Sequence, residues 1–265
     1  MPKIEGDLAK ALRLLHDYFA EKQIPFALVG ALVPALLLSS EVGARETRDA
    51  DQVIKLTSWQ EWEAVIADLV KRGFKQGRGE QEHRLYYGVA EIDLIPYGVS
   101  SGSEEVLVWP KSGNHMNMTG FADVFRCAVP TEVTPGVTLP VVPLWLFAVL
   151  KVVAYVDRKF PRDLSDLAYV LEHYEAASKE SRRFELAGEI RDVTYETAGA
   201  FLLGRDARMN GSAKATALVN EFVKAINDEY HGVINTILRE ENRLHSDSRR
   251  RVVYQLIEAF RKGLG

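Results

Sequence analysis

Two carboxylates, Asp49 and Asp51, stand one residue apart where the chain enters the apolar run Val53-Ile54. On a β-strand, residues i and i+2 face the same side, roughly 6.6 Å apart along the chain. Two acids so placed repel each other, and a strand gains no stability from them. A divalent cation between them removes the repulsion and can hold a nucleotide's phosphates. Upstream, the strand-like run Phe26 to Val29 is broken by Gly30, and Leu32 to Leu38 reads as an apolar helix. A glycine turn that opens onto a helix N-terminus is a natural phosphate seat. Further along, Val89 to Pro96 alternates so that Glu91 and Asp93 share one side and Ile92 and Leu94 the other. Lys151 sits inside the apolar stretch Leu144 to Lys159. A lysine there is either snorkelling from a core face or aimed at an anion.

The order strand, glycine turn, helix, then Asp-x-Asp on a strand resembles the DNA polymerase beta nucleotidyltransferase superfamily. The residues that carry the resemblance are Gly30-Ala31 and Asp49-Ala50-Asp51, with Ala31 standing where that family has Gly or Ser. The run Arg45-Glu46-Thr47-Arg48-Asp49-Ala50-Asp51 looks most like the AbiEii/MenT branch, found as toxins of bacterial toxin–antitoxin pairs. A second block, Lys151…Arg158…Arg162-Asp163-x-x-Asp166-Leu167, is similar to that branch's second signature. The resemblance spans about residues 24 to 175. It implies Mg²⁺ or Mn²⁺ held by Asp49 and Asp51, with Asp93 as the third carboxylate. A third acid completes the oxygen cage and can draw the proton from an attacking hydroxyl. A solvated strand residue is the plain alternative for Asp93. The resemblance further implies NTP as substrate, with phosphates contacted by Gly30, Ala31, Arg48 and Lys151. Asp166 becomes a catalytic or lysine-positioning acid. Asp163 reads as a helix N-cap.

This reading makes the chain a pyrophosphate-releasing nucleotidyltransferase that moves a nucleotide from an NTP to an acceptor hydroxyl. RNA, above all tRNA, is the acceptor that the toxin likeness implies, with a neutralising antitoxin as partner. An antibiotic nucleotidyltransferase of the aminoglycoside type shares the same Asp-x-Asp core and remains the alternative. A catalytically silent module that binds NTP or a partner is the alternative of another class.

Composition sets the frame around these residues. Hydrophobic residues at 47% and charged residues at 26% give an ordinary globular balance, so a sizeable core is available. Net charge is 33 − 37 = −4, which does not advertise nucleic-acid binding in bulk. The basic clusters Arg182-Arg183 and Arg249-Arg250-Arg251 could touch a phosphate backbone, although a solvated helix face is the commoner use. The single cysteine, Cys127, excludes an intrachain disulfide, reads as a buried structural thiol and fits a reducing compartment. No signal-peptide core or bilayer-length apolar run is read in the sequence, so the expectation is a cytoplasmic protein without a membrane partner.

These residues must be held by a small α/β (α+β) unit, a nucleotidyltransferase-type mixed sheet with flanking helices, over residues 1–142. A mainly helical region is expected over 143–265. Gly6 to Lys22 and Thr57 to Arg72 read as amphipathic helices, the second with Ser58 and Glu61 as a capping box. His83 to Tyr87, Phe121 to Val129 and Val137 to Val142 read as strands. Trp109 to Gly120 reads as a polar segment with His115 exposed. In the second region, helices are expected over 184–201, 213–239 and 249–262.

Overall fold

The computed structural model describes residues 4–38, 49–99, 105–176, 182–186 and 190–265. The described residues fall into two compact units, one ending at Pro143 and the other starting at Leu144.

The first unit opens with helix α1, Gly6–Lys22, whose Leu8, Leu12, Leu15 and Phe19 form one buried stripe at helical spacing. Burying each such side chain is worth about 1.5–3 kcal/mol. Gln23 ends the helix in a left-handed turn, and its amide donates to the carbonyls of Ala20 and Phe19. Strand β1 (Phe26–Val29) follows, then helix α2 (Leu32–Leu37), strand β2 (Asp49–Lys55) and helix α3 (Trp59–Lys71). The Ser58 hydroxyl accepts from the Glu61 amide at 3.2 Å, and the Glu61 carboxylate accepts from the Thr57 amide at 2.7 Å. Ser58 caps the helix as read and fixes where α3 begins, while Glu61 reaches one residue further back than a reciprocal capping box would have it, to Thr57.

Strands β3 (Lys75–Gln76), β4 (Arg84–Tyr87) and β5 (Ala90–Tyr97) come next. After them come a two-stranded hairpin, β6 (Val106–Val108) with β7 (His115–Asn117), and helix α4 (Phe121–Cys127). Strands β8 (Val129–Thr134) and β9 (Val137–Val141) complete the unit. Among the described residues the main sheet has seven strands in the order β3-β4-β5-β2-β1-β9-β8. It is mixed: β2 runs parallel to β5 and β1 parallel to β9, while the remaining neighbours are antiparallel. The architecture is therefore the mixed α/β sheet with flanking helices that the sequence implied.

Some local expectations are corrected. Residues 121–127 form a helix, not a strand. Gly120 takes a left-handed φ of 86° at the N-cap, and Phe121 and Val124 bury one face at i, i+3. Residues 115–117, read as part of a polar segment, form a strand that pairs with β6 through a register reaching from Val108 to His115. His115 itself is exposed, as read. Cys127 is half-buried rather than buried, and burial pushes its pKa up, which keeps it a thiol.

The second unit is helical: α5 (Leu144–Arg158), α6 (Pro161–His173), α7 (Arg183–Leu186), α8 (Tyr195–Asn210), α9 (Ala213–Lys224), α10 (Gly232–Glu240) and α11 (Asp247–Leu264). The helices expected over 184–201 and 213–239 are each broken. Thr194 caps α8 in a reciprocal pair with Thr197, and the Nδ1 of His231 accepts the Val233 amide to start α10. No helix among the described residues is long and apolar enough to cross a membrane.

Candidate active site

Strand β2 carries Asp49 and Asp51 on one side and the buried Ala50 and Gln52 on the other. Strand β5 repeats the pattern, with Glu91 and Asp93 half-buried between the fully buried Ile92 and Leu94. The two strands are parallel neighbours, in a register that pairs Asp49 with Glu91 and Asp51 with Asp93. Register partners on adjacent strands share a face. Four carboxylates therefore occupy one side of the sheet at the N-terminal ends of β2 and β5. The two acids that the sequence placed on β2 are joined by Asp93, as read, and by Glu91.

Strand β1 borders β2 on its other edge and runs antiparallel to it, so its last residue, Val29, pairs with Asp51. Gly30 follows at once, with a left-handed φ of 76°. A Cβ on Gly30 would lie 1.8 Å from Asp51 Oδ2 and 2.6 Å from Asp51 Cγ. The space that any other residue would fill is taken by the Asp51 carboxylate. Glycine at 30 is thus required twice, by the backbone sign and by the acid beside it. Ala31 is the N-cap of α2 and offers no side-chain cap; the Val33 amide donates to Gly30 O at 3.1 Å. Helix α2 has only six residues, so little macrodipole stands behind this turn. Arg48 lies outside the described residues.

The third acid is not bare. Arg84 on β4 is the register partner of Asp93 across the antiparallel β4–β5 ladder. Its Nε donates to Asp93 Oδ1 at 2.7 Å and its Nη2 to Oδ2 at 2.8 Å. The remaining arm, Nη1, reaches Glu91 Oε2 at 2.8 Å. A forked guanidinium–carboxylate pair is the strongest ordinary form of such a bond. The plain reading of Asp93 as a solvated strand residue is thereby corrected. His83 Nε2 lies 3.9 Å from Asp93 Oδ2, and burial pulls the His83 pKa down, so the ring is neutral near pH 7. Arg84 was missed in the sequence, yet a signal was present. Gly88-Val89 makes a two-residue hairpin turn that pairs Tyr87 with Ala90, and counting back along both strands sets Arg84 opposite Asp93.

The second signature forms its own cluster within the helical unit. Lys151 Nζ stands 2.6 Å from Asp166 Oδ2 and 3.2 Å from Asp163 Oδ1. Arg158 donates to Asp163 through Nε at 2.9 Å and Nη2 at 2.8 Å. Asp163 is only 1% exposed and serves both cations. It is not the N-cap of α6, which corrects the sequence reading. Pro161 takes the first helical position and moves the cap back to Phe160, leaving Asp163 in the first turn with its carboxylate turned to Lys151 and Arg158. Replacing Asp163 with Ala would remove the buried acid that both cations share and leave Lys151 to Asp166, and the expected loss is about 1–3 kcal/mol of stability. A thermal unfolding midpoint unchanged in Asp163→Ala would refute this tie.

The arginine clusters are corrected as well, for neither is a solvated face. Arg183 is 4% exposed and donates to the carbonyls of Tyr174 and Glu172. Arg182 pairs with Asp206 and Glu175. Arg249 forks onto both Glu172 and Glu241, and the buried Arg250 donates to Asn235 Oδ1 at 2.5 Å. These side chains tie helices together; Arg251 alone of the five is exposed.

Among the described residues, no three His, Cys, Asp or Glu side chains converge closely enough to share one ion. The donor chemistry of the sheet face still suits a hard cation, since every acid there offers only carboxylate oxygen.

No protein-family model matches the chain, and no curated protein sequence does. Among solved structures, the chain is similar to an antigenic nucleotidyltransferase-like protein from Paracoccidioides brasiliensis. The identity is 16%, the TM-score 0.42, and the match covers 77% of this chain and 90% of that one. A likeness this loose fixes neither a family nor an activity.

Proposed function

We propose that the chain is a divalent-metal-dependent nucleotidyltransferase. The observation that carries the reading is the seating of Asp51, tucked against Gly30 on one side and in register with Asp93 on the other. Asp49 and Asp51 would hold Mg²⁺ or Mn²⁺, which when bound would neutralise and orient the phosphates of an NTP. Gly30 lets the Asp51 carboxylate and the chain turn occupy the same small space. Its amide and that of Ala31 face the phosphates in this proposal. Asp93 accepts the proton of the acceptor hydroxyl at Oδ1 or Oδ2, once Arg84 yields one of those oxygens. The chemistry needs no covalent nucleophile, since positioning and charge neutralisation supply most of the rate.

The acceptor we assign is an RNA hydroxyl, tRNA first, in the manner of a toxin held in check by an antitoxin. A second reading is favoured by the acidic face itself, which would attract a polycationic acceptor such as an aminoglycoside. Incubation with Mg²⁺, each α-labelled NTP and total tRNA, in parallel with an aminoglycoside, separates them. Label on tRNA with one preferred NTP is the expected result. Label on the drug alone moves the protein to the second reading. Bound NTP without any release of pyrophosphate would refute transfer and leave a silent module.

A further inference from the structure

The corner between α5 and α6 breaks three local rules within residues 159–162. Lys159 takes a left-handed φ of 57°, a backbone that glycine or asparagine adopts with less strain. Phe160 is the N-cap of α6, where its ring can accept no amide hydrogen bond, and it is 56% exposed. Arg162 puts an exposed cation in the first turn of α6, at the positive end of the helix, and among the described residues no carboxylate pairs with it. Stability alone would favour glycine, a capping side chain and an acid at these places, and breaks of this kind gather where function uses the residue. Arg158 and Lys159 decide less, since cations suit the C-terminal end of α5 on the dipole alone. The Phe160 ring is nevertheless held in place from one side. The Arg158 guanidinium lies 4.9 Å from the ring centroid, and the same guanidinium forks onto the buried Asp163. Around the ring, the exposed run 157–162 carries Arg158, Lys159 and Arg162 against Asp157.

We propose that the α5–α6 corner is a docking site for single-stranded RNA, with one unpaired base stacked on Phe160 and the neighbouring phosphates on Lys159 and Arg162. The proposal deepens the RNA-acceptor reading and rests on it for the choice of RNA among polyanions. An exposed aromatic face with cations beside it takes up a single strand without regard to sequence, because every base has a face to stack and every nucleotide a phosphate. The buried acid Asp163 holds Arg158, Arg158 steadies the ring, and the exposed part of the ring is left to the base. A ring fixed before the strand arrives loses little freedom on binding.

Fluorescence anisotropy of a labelled single-stranded oligoribonucleotide on the full chain reads the corner directly. Phe160→Ala is expected to weaken binding by about five- to a hundredfold, the worth of one stacked base. Phe160→Leu keeps apolar bulk without a face to stack on and should lose nearly as much, whereas Phe160→Trp should bind at least as tightly as the wild type. Lys159→Gln and Arg162→Gln should each lower the slope of log affinity against log salt by roughly 0.7, the share of one phosphate contact. Lys159→Gly removes the charge and relaxes the turn, so weaker binding by this variant at an undiminished unfolding midpoint is a loss of charge and not of fold. No binding of the single strand by the wild type, or binding by Phe160→Leu equal to wild type, would overturn the proposal. With tRNA as acceptor, Phe160→Ala should raise KM for tRNA and leave kcat in place. Transfer to tRNA with both constants unmoved by Phe160→Ala removes the corner and keeps the acceptor reading. Failure of that reading looks different: single strands that bind through Phe160 without any transfer of nucleotide to RNA leave the corner its role and remove the reaction.

Discussion

Asp51→Asn is expected to lower nucleotide transfer by about a thousandfold or more while leaving the protein folded. The substitution keeps the shape of the side chain and removes its charge. Holding and neutralising the phosphates is worth several kcal/mol in metal-assisted transfer, and each 1.36 kcal/mol is a factor of ten in rate. The fold should hold, because asparagine keeps the shape of the side chain that lies beside Gly30. Single-turnover transfer from α-labelled NTP measures the first effect and thermal unfolding the second. Transfer within a few-fold of wild type would remove Asp51 from the metal assignment. A collapsed midpoint with no native state would show instead that the acid is a structural part of the β1–β2 junction.

Much of this site could be read from the chain because its signals are local. Strand alternation puts Asp49 with Asp51, and Glu91 with Asp93, whatever the rest of the protein does. Gly30 is marked by the apolar run it ends. Ser58 and Glu61 announce the start of α3 by their spacing alone. The misread places depend on what lies far along the chain or on a close contest between two local rules. Residues 121–127 are too short for period to decide, and the turn at Gly120 decides it instead. Asp163 has the chemistry of an N-cap, but Pro161 sets the helix start ahead of it. The arginines at 182–183 and 249–250 look like surface charge because nothing local reveals their partners. Arg249 finds Glu172 seventy-seven residues away, and Arg182 finds Asp206 twenty-four away. Arg84 is the instructive case, since its partner followed from a two-residue turn that was there to be read. Where an acid is proposed as a metal ligand, the residue that sits opposite it across the hairpin is part of the site.

Gly30→Ala carries the second large effect, and it acts through geometry where Asp51→Asn acts through charge. The residue has a φ of 76°, and an alanine there costs about 1–2 kcal/mol of backbone strain. The greater difficulty is space. The new Cβ would fall 1.8 Å from Asp51 Oδ2, 2.6 Å from its Cγ and 2.8 Å from its Cβ. Asp51 cannot relieve this by swinging a flexible tip, because the conflict reaches down to its own Cβ on the strand. Either the carboxylate leaves its place or the turn after β1 moves. A displacement of about 1 Å at a reacting centre can cost a hundredfold in rate, and that is the loss expected here. The strain and the collision can be separated within this protein. Gly113 has nearly the same φ, 70°, with nothing within 4 Å of an added Cβ. Gly113→Ala should therefore lose the strain energy in thermal unfolding and keep its transfer rate. Gly30→Ala should lose more stability and the rate with it. Equal behaviour of the two variants in both measurements would mean that Asp51 is not held by Gly30, and the seating on which the functional reading rests would be gone.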